Sequence, residues 1–416
     1  MFVDSTVFSG RCSCGREHDM VTRAAVIESG ALLRFEEYME SFSITGKRCV
    51  LYDENTFAAT EGRHPEGQQV LIMDPENLHA NEISTAWVLE RLEDDVEVIV
   101  AVGSGTVHDV ARFCAHERGI RFVSCPTGAS VDGFCSTVAA MTWHGFKKTL
   151  PAVAPEVVIA DSDIIKTAPP ELVRSGVGDI LAKYTALADW RMAHILTGEY
   201  YCERIAEITQ QAADAVVESL DGILTGDAEA YEKVTYALVM SGIAMQMMGN
   251  SRPASGSEHH VSHLIEMGPA GLDVRFQALH GEKTGVGSIV ALREYKRLAA
   301  LEDISPYVKD FAPVPDSVIK DYFGEKLADS IITENADDCL AALDTQTFID
   351  KWPEVKAVVD SLPSAEEVYA LLEKIDAKRS LGEIGVTEAD TGAILRYSPL
   401  VRNRLTLMRA RRMLEL

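Results

Sequence analysis

The stretch VEVIVAVGSGTVHDVARFCAHERGIRFVSC, residues 96–125, decides the fold. It begins with the apolar run Val96–Val102, turns through Gly103 and Gly105, takes helical spacing over 106–118 and ends in a second apolar run, Arg121–Cys125. Runs that are apolar throughout and are joined by a helix indicate parallel strands whose sheet is covered on both faces. The pattern therefore predicts a strand–turn–helix–strand unit of an α/β domain.

The same alternation continues on both sides of this unit. Apolar runs predict further strands at Arg48–Tyr52, Val70–Met73 and Val157–Ala160, and helical spacing predicts a helix over 84–92. Thr167-Ala-Pro-Pro170 is a helix-start signal, because proline is tolerated in the first turn. From there the periodicity is helical almost throughout, over 171–197, 202–224, 230–248, 285–301 and the stretch after Ser364. We predict an α/β domain with a parallel sheet over residues 1–166 and an all-helical domain over 167–416.

Composition narrows the class of protein. A chain of 416 residues exceeds the usual size of one hydrophobic core, which agrees with two domains. The net charge is 39 − 64 = −25, which disfavours a general nucleic-acid surface. The apolar runs are shorter than a membrane helix requires, and the first residues lack the pattern of a signal peptide. Eight cysteines are too sparse for a disulfide framework. We expect a soluble, cytoplasmic protein with no nucleic-acid partner and no membrane span.

One short segment near the start stands apart from this pattern. Cys12, Cys14 and His18 look like a fragment of a metal site. A closed structural zinc site needs a fourth ligand, and the neighbouring sequence offers none. The sequence therefore favours a surface turn or strand edge at this place.

The glycine turn has the features of a nucleotide-binding loop. Gly103 and Gly105 allow a pyrophosphate to approach the backbone, and the amides at the start of the following helix favour its charge. The fingerprint is incomplete, because His108 stands where G-x-G-x-x-G has its third glycine. The glycines alone also fit a simple turn from strand to helix. Support comes from Asp53, Asn55 and Thr56, which follow the first predicted strand where side chains reach an adenosine ribose.

Histidines in the helical half suggest a metal. His259 and His263 are four residues apart, hence on one helix face, and His280 begins another helix. Asp179 follows a pair of glycines in G-V-G-D. Any one of these histidines fits a packing role, but a carboxylate and two imidazoles suit a divalent metal that keeps positions open for substrate.

The order of the motifs resembles a known superfamily. The chain has G-S-G-T-x-x-D, P-T-x-x-S-x-D-G, G-x-G-D, S-G-S-E-H-x-x-x-H and H-G-E-K in sequence between about residues 47 and 283. This set resembles the iron-containing alcohol dehydrogenase and dehydroquinate synthase-like superfamily. The stretch S-R-P-A-S-G-S-E-H resembles its glycerol-1-phosphate dehydrogenase branch, in particular the bacterial members. The resemblance implies a dehydroquinate synthase-like fold.

The resemblance also assigns roles to residues. It implies that Asp179, His259 and His280 bind the metal, with His260 as the competitor for His259, and that His263 lies near the substrate and its proton path. It implies that Asp132 lies close to the nicotinamide and substrate and that Lys148 faces the active site, whereas Lys147 and Lys148 also fit a solvated turn. The residues implied to lie along the cofactor pyrophosphate are Gly103, Ser104, Gly105 and Asp109, with Thr127 and Ser130 nearby.

The activity implied is the reversible, NAD(P)-dependent reduction of dihydroxyacetone phosphate to sn-glycerol 1-phosphate, a step of phospholipid metabolism, by a homodimer. It requires NAD(H) or NADP(H) and one divalent metal, for which Zn, Fe and Ni fit the ligands equally. Asp53 would repel the 2′-phosphate of NADP. Arg252, Ser255 and Lys148 are the candidates for binding the substrate phosphate. The alternatives are a glycerol dehydrogenase, a dehydroquinate synthase-like lyase, whose members carry Glu at the position of Asp179, and a non-catalytic nucleotide sensor.

Overall fold

A computed structural model describes residues 1–143 and 146–416, except for the side chains of Phe146 and Lys147. The chain forms two compact units. Unit 1 comprises residues 1–180 and 211–251, and unit 2 comprises residues 181–210 and 252–416. Residues 167–180 and 211–251 therefore pack with the N-terminal part, and the division at residue 166 stays a prediction.

Unit 1 is built on a sheet of seven strands in the order β1-β4-β11-β8-β7-β5-β6. All neighbouring strands are parallel except β1, which pairs antiparallel with β4 at the edge. The strands of the unit are β1 (Phe2–Asp4), β2 (Gly10–Arg11), β3 (Glu17–His18), β4 (Ala24–Glu28), β5 (Arg48–Asp53), β6 (Gln69–Met73), β7 (Val98–Gly103), β8 (Arg121–Pro126), β9 (Val138–Trp143), β10 (Phe146–Pro151) and β11 (Val157–Asp161). The five predicted strands and the parallel-dominated sheet are confirmed.

The sequence prediction missed six strands. β2 pairs with β3 and β9 with β10 in separate antiparallel pairs, and β1 and β4 extend the main sheet. β4 reads Ala-Ala-Val-Ile-Glu, a short run whose alanines have low strand propensity. It is a strand because β1 and β11 pair with it on both sides and bury its first four residues.

The remaining elements are helical. The helices are α1 (Phe35–Ser41), α2 (Glu54–Ala59), α3 (Glu82–Arg91), α4 (Gly105–Arg118), α5 (Ser162–Ile165), α6 (Pro170–Leu181), α7 (Lys183–Thr197), α8 (Glu203–Val217), α9 (Leu220–Thr225), α10 (Ala228–Met248), α11 (Ser257–Met267), α12 (His280–Ala299), α13 (Asp316–Phe323), α14 (Glu325–Glu334), α15 (Thr345–Asp360), α16 (Ala365–Lys374), α17 (Thr391–Tyr397) and α18 (Leu407–Ala410). Beyond Asp161 the described residues contain the helices α5 to α18, short 3-10 turns and one isolated bridge, so the predicted helical half is confirmed. The pattern predicted over 171–197 divides at Ala182 into α6 and α7.

Alternate residues of the central strands β5, β7 and β8 belong to two separate cores. Val50 and Val98 belong to the core on one face of the sheet, whereas Leu51 and Ile99 belong to the core on the other face. The sheet is thus covered on both sides, which explains why its strands are apolar throughout. Unit 2 has a core of its own, in which Tyr295 of α12 packs with Phe348 and Trp352 of α15.

The order of the strands marks a ligand-binding edge. The part β6-β5-β7-β8-β11 follows the 2-1-3-4-5 order of doubly wound folds, in which the chain reverses its direction across the sheet between the first and third strands. Ligands of such sheets bind at the carboxyl ends of the strands at that reversal. Here these are the ends of β5 and β7, at Asp53 and Gly103. Among the described residues, helices long and apolar enough to cross a membrane are absent.

Candidate active site

The glycine turn lies between β7 and α4. The carbonyl of Gly103 accepts a hydrogen bond from the Thr127 amide at 3.0 Å, which joins the turn to the segment after β8. A Cβ on Gly103 would lie 2.6 Å from Cβ of Val107, and one on Gly105 would lie 3.0 Å from Cγ2 of Val131. Packing therefore excludes side chains here, and the approach of a pyrophosphate to these glycines stays a prediction.

The structure explains the missing third glycine. His108 is buried in α4, with Nδ1 2.9 Å from the carbonyl oxygen of Ser104 and its ring against Phe122 and Phe134. Burial lowers the pKa of His108 to about 3, so the imidazole is neutral at physiological pH. His108 packs the helix onto the sheet, the place where a third glycine permits close helix–strand packing in other proteins.

Arg112 is a residue that the sequence analysis missed. It is fully buried and donates to the carbonyls of Ser136, at 2.6 Å, and Phe134, at 3.1 Å. It therefore fixes the segment after β8 against α4. That segment carries the predicted cofactor residues Thr127 and Ser130, both buried.

Asp53 has a structural partner of its own. It caps α2, because its Oδ1 accepts the Thr56 amide at 2.8 Å and the Thr56 hydroxyl in turn accepts the Asp53 amide. Asn55 is exposed beside this cap. The three residues lie at the end of β5, next to the glycine turn of β7, as the sequence predicts for a ribose-binding edge. The contacts of these residues with a cofactor stay a prediction, and so do the contacts of Ser104 and Asp109. Asp109 Oδ1 lies 3.6 Å from Arg112 Nε.

Asp132 and Asp179 meet within unit 1. The amide of Asp132 donates to Asp179 Oδ2 at 3.0 Å, and the Ser241 hydroxyl donates to Asp132 Oδ2 at 2.9 Å. Asp179 is fully buried in α6, at the end of unit 1. Both carboxylates are therefore held in fixed orientations by neighbours on other elements.

Lys148 lies on β10, opposite Met141 of β9, and its side chain is exposed. The side chain of Lys147 lies outside the described residues. The strand pairing replaces the solvated turn that was the alternative interpretation, and the active-site role of Lys148 stays a prediction.

Unit 2 brings three predicted histidines together. Ring centroids are 5.2 Å apart for His259 and His280, 6.0 Å for His259 and His263, and 5.9 Å for His263 and His280. Two helices supply them, α11 and α12, and the helices touch where Gly287 faces the backbone of Glu258. A Cβ on Gly287 would lie 2.5 Å from the Glu258 carbonyl oxygen, so a larger residue would force the histidine-bearing helices apart.

The start of α11 is fixed by a buried carboxylate. Asp189 of α7 accepts the Ser257 amide at 2.8 Å, the Leu407 amide at 2.8 Å and the Tyr295 hydroxyl at 2.7 Å. Burial, with Glu258 close by, raises the pKa of Asp189 to about 6. Asp189 thus positions the first turn of α11, two residues before His259.

Carboxylates orient the rings of two histidines. His259 Nδ1 lies 2.9 Å from Glu258 Oε1, and His280 Nδ1 lies 3.0 Å from Glu266 Oε1. A carboxylate on Nδ1 fixes the tautomer in which Nε2 carries the lone pair, the usual state of metal-bound histidine. His260 differs, since neither of its ring nitrogens has a hydrogen-bond partner among the described residues. These contacts favour His259 over its neighbour.

Glu266 belongs to a second possible ligand set. Ligand atoms of His263, Glu266 and His280 also lie within 4.8 Å of one another. However, Glu266 Oε1 lies 3.1 Å from Lys283 Nζ as well as 3.0 Å from His280 Nδ1. Its charge is therefore balanced by a buried ammonium, which fits a residue that orients His280. Helical periodicity assigned no role to three residues of this cluster. Glu258 lies inside the motif S-G-S-E-H, Lys283 lies inside H-G-E-K, and Glu266 lies between the two motifs.

Arg252 is already paired. Its Nε donates to Glu199 Oε1 at 2.7 Å, and one terminal nitrogen donates to the carbonyls of Leu405, at 2.7 Å, and Asp189, at 3.2 Å. The side chain is 2% exposed. Arg252 thus anchors the segment before α11 to the rest of unit 2, and its part in phosphate binding stays a prediction.

A second arginine faces the same segment. Arg404 donates to the Ser255 carbonyl at 2.7 Å. Burial and, to a smaller extent, the neighbouring guanidiniums of Arg252 and Arg402 together lower the pKa of Arg404 to about 9. Burial, Arg404 and Arg402 also hold the pKa of His260 well below its usual value. Arginines are therefore crowded beside the histidine-bearing helix.

The sequence carries a signal for these arginines. Residues 391–414 contain six arginines and no acidic residue, in a chain of net charge −25. Such a local reversal of charge distinguishes this segment from the rest of the chain, but helical periodicity alone does not reveal it.

The chain is similar to several known proteins. Residues 26–169 match the iron-containing alcohol dehydrogenase family. A glycerol-1-phosphate dehydrogenase (NAD(P)+) of Geobacillus stearothermophilus is 31% identical over 410 residues, which cover 96% of this chain and 94% of the relative. The enzyme of the same name from Thermococcus kodakarensis is 38% identical over 252 residues, 59% of this chain and 70% of the relative.

Solved structures share the fold. A Red Sea brine pool alcohol dehydrogenase from an archaeon matches with a TM-score of 0.59 at 15% identity, over 98% of this chain and 96% of that one. Glycerol dehydrogenase from Schizosaccharomyces pombe matches with a TM-score of 0.55 at 20% identity, over 86% and 92%. These likenesses concern the fold alone and confirm its class. Because the Geobacillus relative is 31% identical over nearly the whole of both proteins, the chain belongs to the glycerol-1-phosphate dehydrogenase family of iron-containing alcohol dehydrogenases.

Proposed function

We propose that the protein reduces dihydroxyacetone phosphate to sn-glycerol 1-phosphate with NADH or NADPH, and catalyses the reverse reaction. One observation carries the proposal: unit 2 holds two histidines oriented by carboxylates and, beside them, buried Arg252 with the half-buried Arg402 and Arg404. In a substrate that has both a carbonyl group and a phosphate, the carbonyl would face the metal held by the histidines and the phosphate would face the arginines.

The cofactor is proposed to bind unit 1 at the carboxyl ends of β5 and β7. The amides at the start of α4 favour a pyrophosphate, and the glycines leave the room that it needs. Asp53 favours NAD over NADP, because a carboxylate that accepts a ribose hydroxyl repels a 2′-phosphate. The relatives that carry NAD(P)+ in their name support a nicotinamide cofactor.

The divalent metal is proposed to be held by Asp179, His259 and His280. The donor set fits, because the Nδ1 contacts of both histidines leave Nε2 as the metal-binding nitrogen and the carboxylate is buried. Zn, Fe and Ni remain equally suited to one carboxylate and two imidazoles. When bound, a divalent metal polarises a carbonyl oxygen and stabilises the negative charge that develops on it.

The residues of the chain bind and orient the reactants. The carbonyl carbon receives the hydride of the nicotinamide, and its oxygen receives one proton, for which we propose His263 as the relay to solvent. His263 is half-buried and lies one helical turn after His259. We propose that Asp132, oriented by Ser241, bounds the substrate on the side of the nicotinamide.

The phosphate is proposed to bind near the segment 252–255. Arg252, Ser255 and Lys148 are the residues proposed from the sequence, and Arg404 joins them because it holds the Ser255 carbonyl and is crowded by other cations. A dianion here would balance this excess of positive charge and form charge-assisted hydrogen bonds. Plain glycerol dehydrogenase chemistry gives no reason for such a cluster, and a dehydroquinate synthase-like lyase would carry Glu in place of Asp179.

A steady-state assay tests the proposal. With dihydroxyacetone phosphate and dihydroxyacetone compared under each nicotinamide, we expect kcat/KM to favour the phosphorylated ketone by roughly 10⁴, as sites with buried donors discriminate. Equal kcat/KM for the two ketones would contradict the phosphorylated substrate and leave a glycerol dehydrogenase.

Two further expectations remain proposals. The chain is proposed to form a homodimer, as the resemblance implies, and light scattering of the purified protein measures this directly. It is proposed to work in the cytoplasm, which is supported by the absence of disulfide bonds among the described residues.

A further inference from the structure

We propose that Cys12, Cys14 and His18 form a second metal site, structural and best suited to zinc, in unit 1. Their ligand atoms lie within 4.8 Å of one another. The proposal concerns residues outside the catalytic site and is independent of the proposed reaction.

The turn between β2 and β3 brings the two cysteines together. The Cys12 amide donates to the Arg16 carbonyl at 2.9 Å, and the Gly15 amide donates to the Cys12 carbonyl at 3.0 Å. Gly15 has a φ of +88°, which favours glycine and closes the turn tightly. The result is a loop that projects two sulfur atoms toward the histidine that follows it.

His18 supplies the observation that points to a ligand. Its side chain is buried, Nδ1 lies 2.7 Å from the Met247 carbonyl oxygen and Nε2 lies 3.5 Å from Cys14 Sγ. Because a carbonyl only accepts, Nδ1 carries the proton and Nε2 is the nitrogen with the lone pair. A backbone carbonyl on the second ring nitrogen is the common arrangement around metal-bound histidine.

The donor set selects the metal. Two thiolates and one imidazole are ligands of structural zinc sites, whereas carboxylates and carbonyls serve Mg²⁺ and Ca²⁺. Zinc would also stabilise the segment. β2 and β3 have two residues each, too few for a stable pair. A metal would join Cys12 and Cys14 to His18 of β3, which contacts the end of α10 through the Met247 carbonyl.

A closed site requires a fourth ligand. Burial raises the pKa of five other cysteines and so disfavours the thiolate form that a metal binds: Cys49, Cys114, Cys125, Cys135 and Cys339. The remaining cysteine is Cys202, and the variant Cys202→Ser is included in the test for this reason.

Cobalt substitution tests the site without reference to activity. Asp179, His259 and His280 contain no sulfur, so a thiolate-to-cobalt charge-transfer band in the near ultraviolet reports only the cysteine site. We expect the band in the cobalt-loaded wild type. In Cys12→Ser, Cys14→Ser and Cys202→Ser we expect the band to be lost and elemental analysis to find one metal equivalent per chain fewer than in wild type. Cys339→Ser, which changes a cysteine outside the cluster, should keep both.

Two results would overturn the proposal: a cobalt-loaded wild type without the charge-transfer band, or a Cys14→Ser protein with the same metal content as wild type. The wild-type spectrum decides the matter even where the variants fail to fold. Turnover of dihydroxyacetone phosphate is measured separately, so that failure of the proposed reaction leaves this result unaffected.

Discussion

A single hydrogen bond decides which ring nitrogen a histidine offers, as it does for the histidines of the two proposed metal sites. Glu258 holds Nδ1 of His259, Glu266 holds Nδ1 of His280, and the Met247 carbonyl holds Nδ1 of His18. Each contact leaves Nε2 for a metal. Sequence spacing predicts that two histidines share a face, but the tautomer depends on neighbours that only the folded chain supplies.

At the glycine turn we predict that Gly105→Val weakens cofactor binding by roughly tenfold or more, a loss of about 1.4 kcal/mol. The reason is steric, because even a Cβ at Gly105 lies 3.0 Å from Val131 and a branched side chain extends further into the loop. Titration of NADH fluorescence measures the Kd. The control is Gly392→Val in α17, where a Cβ meets nothing within 4 Å. An unchanged Kd in Gly105→Val would reduce the turn to a structural role.

At the arginine cluster we predict that Arg404→Gln lowers kcat/KM for dihydroxyacetone phosphate by about 10-fold to 100-fold, the worth of a charge-assisted hydrogen bond. Glutamine keeps a donor for the Ser255 carbonyl but removes the charge. The reaction of dihydroxyacetone should change little, because it lacks the phosphate. Arg396→Gln, an exposed arginine of the same segment, is the matched control.

The variant Arg252→Gln separates a structural role of Arg252 from a role in binding the substrate phosphate. Since Arg252 pairs with Glu199 and holds two carbonyls, its loss should lower the melting temperature, which Arg404→Gln should affect less. If Arg404→Gln reduced turnover of both ketones equally, the arginine would not contact the phosphate.

At the scale of elements, the sequence predicts those strands that are buried on both faces. β5, β7, β8 and β11 are mostly apolar and are buried over nearly their whole length, and they were predicted within one or two residues. β1 and β4 were missed, because short runs become strands only through partners elsewhere in the chain. The same limit applies to the site: His259 and His280 lie in recognisable motifs, but Arg404 meets Ser255 from a part of the chain far away in sequence.

The C-terminal segment is held by a buried charge network, which makes a prediction about acid stability. Asp338 accepts from Arg409 Nε at 3.0 Å and from Arg412 at 2.6 Å, and it caps the turn Cys339–Ala342. Arg409 is fully buried. Asp338→Asn should therefore cost about 3–5 kcal/mol of unfolding free energy at neutral pH, because it leaves a buried guanidinium uncompensated.

The pH dependence has a definite sign. Bonds from Arg409 and Arg412 lower the pKa of Asp338 despite its burial, so its contribution is present above the usual carboxyl pKa and is lost as pH falls through the lowered value. Urea unfolding at neutral pH and at roughly pH 3 should show a large gap between wild type and variant that shrinks in acid. Asp337→Asn, next door but exposed, is the control. A gap that stays constant with pH would exclude the carboxylate charge as its origin.

At the scale of the whole molecule, cofactor binding and metal binding are proposed as separate tasks of separate residues. The proposed cofactor residues belong to unit 1, as do Asp132 and Asp179, whereas the three clustered histidines and the crowded arginines belong to unit 2. Each unit has its own hydrophobic core. Removing the catalytic metal should therefore abolish the reaction without unfolding either unit or preventing cofactor binding.

We test this division with Asp179→Asn and His280→Ala. Both should lose turnover of dihydroxyacetone phosphate, because the oxygen of the ketone no longer has a cation to stabilise its developing charge. Circular dichroism and the Kd for NADH should stay close to those of wild type, since a metal bound in a preformed site contributes only part of the stability. His116→Ala, which changes an exposed histidine of α4, should retain full activity.

Removal of the metal by a chelator should abolish activity in the same way. Readdition of Zn, Fe or Ni should restore activity to a degree that identifies the working metal. Full activity in His280→Ala, or in protein freed of metal, would contradict the assignment of the metal ligands, whereas loss of NADH binding in His280→Ala would show that the two tasks are coupled.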